Sequence, residues 1–177
     1  MKELVAQILN IYFKNLREPK LEELDIWDSK LSDEAGCIFV TLYLNGEVHG
    51  SAWNIKEISP NLASELIENT MQALTWDKRF PPLTLEQSEK LQFRIDHITD
   101  RKMINWEEMK KLDPTSSGVI AIKRDYEKLV TILPNMSPKI MTGDDFIPVL
   151  LKKLWETKFV EADYILYKIT TQVETNY

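Results

Sequence analysis

His49 and Ser51 stand two residues apart in the run Glu47-Val48-His49-Gly50-Ser51-Ala52-Trp53, flanked by residues that favour strands. In a regular strand they share one face with their α-carbons within about 7 Å, which brings a base and a hydroxyl together as a nucleophile would require. No Gly-x-Ser-x-Gly elbow surrounds Ser51, and no acidic residue is placed locally to orient the imidazole. No residue is therefore assigned a catalytic role, and pocket lining or packing is the preferred reading of the pair. Asp77 and Arg79 form a second candidate group. The planar fork of Arg79 suits two-point contact with an anion or carboxylate. The competing reading is a loop held by Phe80, Pro81 and Pro82, with Asp77 making turn hydrogen bonds and Arg79 an ordinary ion pair.

The other candidates carry less. His97 falls on the apolar face of an alternating run with Phe93 and Ile95 and reads as a core histidine. Two His and one Cys, with no His-x-x-x-His or Cys-x-x-Cys spacing, argue against a metal site. Five glycines include no phosphate-binding loop, and no cofactor is expected. Gly50, between Val48 and Ala52, marks a close backbone approach, by packing or by a ligand.

These residues are positioned by a hairpin and the helix after it. Asn45-Gly46 separates Cys37–Leu44 from Glu47–Trp53, and both turn residues tolerate the positive φ of a two-residue turn. Counting outward from the turn pairs Leu44 with Glu47, Leu42 with His49, Val40 with Ser51 and Ile38 with Trp53 in the absence of a bulge. That register puts Cys37 on the face opposite Ser51. Both faces of the hairpin are largely apolar, which predicts central strands covered on each side. Ser59-Pro60 reads as a cap opening a helix to Trp76, and Thr84 to Gln87 has capping-box spacing.

The rest is punctuated similarly. Met1 to Leu16 has the apolar period of a packing helix. Arg17 to Ala35 reads as a long surface connection or a short helical turn, anchored by Trp27. Leu91 to His97 alternates as a half-buried strand, and Trp106 to Met109 adds a helical turn. Val119–Lys123 and Lys128–Leu133 read as a second hairpin, and Thr142 or Asp144 as the cap of a helix through Trp155. The strand beginning at Tyr164 closes the chain. This order predicts one domain over 1–177 with an α+β fold: a mainly antiparallel sheet with packed helices, or two unequal lobes around a cleft.

The hairpin, the helix and Asp77-Lys78-Arg79-Phe80-Pro81-Pro82-Leu83 together resemble the AMMECR-type domain family. The family's Phe-Val-Thr-Leu strand corresponds to Phe39–Leu42, and its Asn/Asp-Gly turn to Asn45-Gly46. Its signature Leu-Arg-Gly-Cys-Ile-Gly falls on Val48–Trp53, and its Asp-x-Arg-Phe-Pro-Pro-Leu loop on Asp77–Leu83. Only Gly50 of the signature survives, with His49, Ser51 and Trp53 replacing Arg, Cys and the final Gly, so thiolate chemistry at that position is absent. The resemblance implies a fold, an intracellular setting, and Memo-type or radical-SAM proteins as partners; it implies no particular reaction. On it we expect a noncatalytic ligand- or protein-binding module with His49, Gly50, Ser51, Trp53, Asp77, Arg79 and Phe80 at the recognition surface. The alternative is an enzyme acting on a small acidic substrate or with such a partner.

Composition narrows the classes. The 177 residues carry 28 acidic and 22 basic side chains, a net charge of −6, which disfavours nonspecific attraction to nucleic acid. One cysteine, no secretory signal and no long apolar run predict a cytoplasmic protein with no membrane span.

Overall fold

A computed structural model describes residues 1–177. Six strands form one sheet in the order β2-β1-β3-β6-β4-β5, with β1 Cys37–Leu44, β2 Glu47–Trp53, β3 Leu91–Ile104, β4 Gly118–Lys123, β5 Leu129–Ile132 and β6 Tyr164–Thr175. The helices are α1 Lys2–Asn15, α2 Ser29–Asp33, α3 Leu62–Thr75, α4 Leu85–Ser88, α5 Trp106–Met109 and α6 Phe146–Leu154. The fold is α+β on a mainly antiparallel sheet. It divides into two compact units of unequal size, Met1–His97 with Val173–Tyr177, and Ile98–Gln172. The long strands β3 and β6 each continue from one unit into the other. No helix is long and apolar enough to cross a membrane.

In the first unit, α3 lies on the β1–β2 hairpin and α1 lies on α3. The core side of α3 buries Leu62, Ala63, Leu66, Ile67, Met71 and Leu74, each larger side chain contributing on the order of 1.5–3 kcal/mol relative to exposure. The helix starts later than the Ser59-Pro60 pair predicts. Asn61 is its cap, accepting from the Ser64 N–H at 2.9 Å, while the Ser59 hydroxyl donates to Glu68. A tertiary bond accompanies this start: the Leu62 N–H is taken by the Glu34 carbonyl at 2.7 Å. Buried polar groups pin α3 to the sheet. The Glu65 carboxylate accepts from Asn54 at 2.9 Å and Asn69 at 2.8 Å, and Asn69 also donates to the Ile38 carbonyl at 3.0 Å.

Three further expectations change. Trp27 is 69% exposed, so it does not anchor the connection by burying its ring. β2 is a terminal strand of the sheet, not a central one. β3 is not half-buried along residues 93–96: Arg94 and Asp96 are as buried as Phe93 and Ile95, and their side chains pair at 2.7 Å.

The second unit builds its own core from the β4–β5 hairpin, β6 and α6. Val119, Ala121, Val130, Ile132, Phe146, Leu150, Leu154 and Leu166 form it. Thr142 opens a short 3-10 turn ahead of α6, and Pro148 sits in the first turn of α6, where its missing N–H breaks no bond.

Candidate functional site

The hairpin carries a bulge that decides the site. The pairs next to the turn, Leu44 with Glu47 and Tyr43 with Val48, follow the count from Asn45-Gly46, but the register then slips by one. His49 is the extra residue. Leu42 pairs with Gly50, Thr41 with Ser51, Val40 with Ala52 and Phe39 with Trp53. The expected pairs of Leu42 with His49, Val40 with Ser51 and Ile38 with Trp53 are therefore corrected, because a bulge inserts one unpaired residue and flips everything beyond it.

The slip sorts the candidates. Ile38, Val40, Leu42, Gly50 and Ala52 face α3 and are buried. Gly50 belongs to this packing: a Cβ there would stand 2.0 Å from the Ala73 carbonyl oxygen of α3, so the close approach is helix on strand. Phe39, Thr41, Ser51 and Trp53 take the other face, and the Trp53 ring stacks on Phe39 with centroids 5.4 Å apart. Cys37 lies on the Ser51 face, contrary to the expected opposite face, because its offset from Thr41 is even. At four residues along the strand it remains about 13 Å from Thr41.

The loop after α3 closes on the bulged strand. Asp77 accepts the Ser51 backbone N–H at 3.2 Å and the Arg79 Nε–H at 2.7 Å, and its second oxygen is also bonded by Arg79 Nη2. Arg79 Nη2 further donates to the Ser51 hydroxyl at 3.2 Å. The Asp77 carboxyl is held below its ordinary range, chiefly by the Arg79 guanidinium, and Arg79 is raised in turn by Asp77. Arg79 also lies over the Phe80 ring at 5.3 Å. His49 sits against the other side of this group, its ring 5.3 Å from Phe80 and its Nε2 3.0 Å from the Pro81 carbonyl oxygen. A carbonyl only accepts, so Nε2 carries the proton in this contact.

His49, Ser51, Asp77, Arg79 and Phe80 are thus brought together, Trp53 stacks on Phe39 and borders the same depression as Ser51 and Arg79, and Gly50 packs on α3. Asp77 accepts the Arg79 backbone N–H and pairs with its guanidinium, the turn bond and ion pair of the loop reading. As chemistry the arrangement lacks a working nucleophile. The Ser51 oxygen receives a hydrogen bond from a cation, and the neighbouring imidazole is engaged by a carbonyl. His97 is half-buried beside Gly36 and Leu62, and burial pushes its pKa below the ordinary histidine value. No group of three or more His, Cys, Asp or Glu side chains is placed to hold a metal ion.

Residues outside the expected set complete the surface. Trp76, 75% exposed, and Lys78 border an open depression of about 660 Å³ with Ser51, Trp53, Gln72 and Arg79. Trp76 lies off the apolar stripe of α3, and a large aromatic off the stripe at a helix end is the signal that could have marked it.

The sequence model of the AMMECR1 family matches residues 3–172. The chain belongs to the AMMECR1 family. Among curated proteins it is similar to one from Thermotoga maritima, 31% identical over 86 residues, which are 48% of this chain and 48% of that protein. It is also similar to one from Clostridium acetobutylicum, 27% identical over 134 residues, 75% of this chain and 27% of that protein. The chain thus matches about half of the first relative's length and about a quarter of the second's. The crystal structure of an uncharacterised protein from Pyrococcus horikoshii is similar with a TM-score of 0.77 at 21% identity, covering 97% of this chain and 87% of that one. At that identity the likeness speaks to the fold alone.

Proposed function

We propose that this AMMECR1-family chain is a noncatalytic protein-binding module whose recognition surface is the outer edge of β2 with the Trp76–Leu83 loop. The observation that carries the reading is the bonding of Ser51: its hydroxyl accepts from Arg79 and its backbone N–H is held by Asp77. A hydroxyl bonded by a cation, with the imidazole two residues before it engaged by a carbonyl, is not poised to attack. His49, Phe80 and Arg79 hold the loop in place, and Trp76, Lys78 and the exposed part of Arg79 are left for contact. Aromatic and arginine side chains of this kind dominate binding energy at interfaces. The family resemblance makes Memo-type and radical-SAM proteins the first partners to test, in a cytoplasmic setting.

The experiment is affinity capture of the tagged chain from its native lysate, with proteins and small molecules both identified, run beside Trp76→Ala and Arg79→Ala. A defined protein partner lost in the variants, whose folding is checked by circular dichroism, supports the reading. A small anion that copurifies and disappears in Arg79→Ala would overturn it in favour of an enzyme or sensor of acidic metabolites. Recovery of neither would also overturn it, leaving a fold that has lost its family site.

A further inference from the structure

The edge of β2 specifies what kind of segment can dock there, and this inference rests on the recognition surface proposed above. Ser51 and Trp53 stand opposite Thr41 and Phe39 on β1. In an antiparallel ladder a residue turns its N–H and C=O to the same side, and the side alternates along the strand. The Ser51 N–H is bonded outside the sheet by Asp77. The Ser51 carbonyl and both backbone groups of Trp53 therefore also point outward, and no other loop or strand bonds to them.

A depression of about 660 Å³ adjoins this stretch of β2. Ser51, Trp53, Trp76, Asp77, Lys78 and Arg79 are among its lining residues. A strand pairing antiparallel opposite Ser51 would need the N–H that Asp77 already holds. A parallel strand would not. In a parallel ladder one incoming residue donates its N–H to the Ser51 carbonyl and accepts the Trp53 N–H, which are the two groups left open. Residues preceding that one would lie towards Asp77 and Arg79, and Lys78 there is exposed and outside every ion pair of the chain. Trp76 offers the apolar wall.

We propose that the Ser51–Trp53 edge takes an extended segment of a partner protein as an added parallel strand. The segment carries an acidic residue on its N-terminal side, met by Lys78 and Arg79, followed by an apolar residue against Trp76. Main-chain bonds supply affinity and the two side-chain positions supply selectivity, as in other strand-addition complexes.

The test is selection of displayed random linear octapeptides on the full chain, followed by titration of the enriched peptides. Enriched sequences should share Asp or Glu followed within two positions by Val, Ile, Leu or Phe. N-methylating the single peptide amide that meets Ser51, or substituting Trp76→Ala, should weaken binding by at least about tenfold. Lys78→Ala should weaken it less and lower its salt dependence. Hydrogen exchange at the Trp53 amide should slow on binding. No enrichment, or binding insensitive to N-methylation, would overturn strand addition. If affinity capture still loses a protein partner in Trp76→Ala in that case, the surface stands and its partner is a folded face. If capture is unaffected by Trp76→Ala, the recognition surface itself is refuted.

Discussion

The carboxylate of Asp77 accepts the backbone N–H of Ser51 at 3.2 Å, so an acidic side chain occupies an outward donor of a terminal strand. The opposite end of the sheet is treated similarly: Lys153 donates to the Thr131 carbonyl of β5 at 3.2 Å. Charged side chains on the open groups of edge strands discourage indiscriminate pairing with other chains. At β2 the plug covers the Ser51 N–H and leaves the Ser51 carbonyl and the Trp53 N–H open.

Asp77→Ala should release the loop. It leaves the Ser51 N–H and Arg79 without their acceptor, at an expected cost of about 1–2 kcal/mol by urea denaturation, because hydrogen bonds to charged groups are among the stronger ones while Arg79 is largely solvated. The pH dependence follows from the depressed carboxyl. Between the folded value and the ordinary 3.8, the unfolded chain binds more protons than the folded one, so stability falls as pH drops through that window and is flat above it. The difference between wild type and Asp77→Ala should shrink below it.

Gly50→Ala should be the more damaging change. The added methyl would meet the Ala73 carbonyl at 2.0 Å, and backbone against backbone has no rotamer by which to yield. Lifting α3 from β2 is expected to cost at least about 1–3 kcal/mol, read as a lower denaturation midpoint. Equal stability of Gly50→Ala and wild type would refute the close packing of α3 on β2.

His97 gives a second pH signature, of opposite chemical type. Burial lowers its pKa from 6.5 despite the attraction of Glu34 and Glu174. Between the folded pKa and 6.5 the unfolded chain binds more protons, so stability drops as pH falls from 6.5 towards the folded value. Above 6.5 the contribution is complete. His97→Gln should flatten this part of the curve relative to wild type when denaturation is followed between about pH 5 and 8. An unchanged slope would place the titration elsewhere.

The hairpin was legible because its turn is local chemistry: Asn45 and Gly46 both adopt positive φ, 54° and 80°. The bulge was not, since no residue type near His49 demands one, and one inserted residue moved Ser51, Trp53 and Cys37 relative to their expected partners. Alternation along Leu91–His97 identified a strand but assigned Arg94 and Asp96 to solvent. Period alone reports one covered face and is silent about a second. The loop at Asp77 was recognisable as a unit from its Arg-Phe-Pro-Pro-Leu sequence. Its bond to the Ser51 backbone was not, because an edge strand becomes an edge only once the whole sheet is assembled.

Trp155 tests whether a strained exposed residue has been retained at a cost. It ends α6 in the left-handed conformation at φ 57° and is 90% exposed, so its ring buries almost nothing in return. For a non-glycine residue that conformation costs roughly 1–2 kcal/mol, while glycine there costs little in the folded state and somewhat more in unfolded-chain entropy. The Glu156 N–H bonds back to the Leu151 carbonyl at 3.0 Å, an end motif that glycine fits best. Trp155→Gly is therefore expected to raise stability by up to about 1 kcal/mol in thermal or urea denaturation. Destabilisation of similar size would mean that the indole makes contacts in solution that its exposure here does not include.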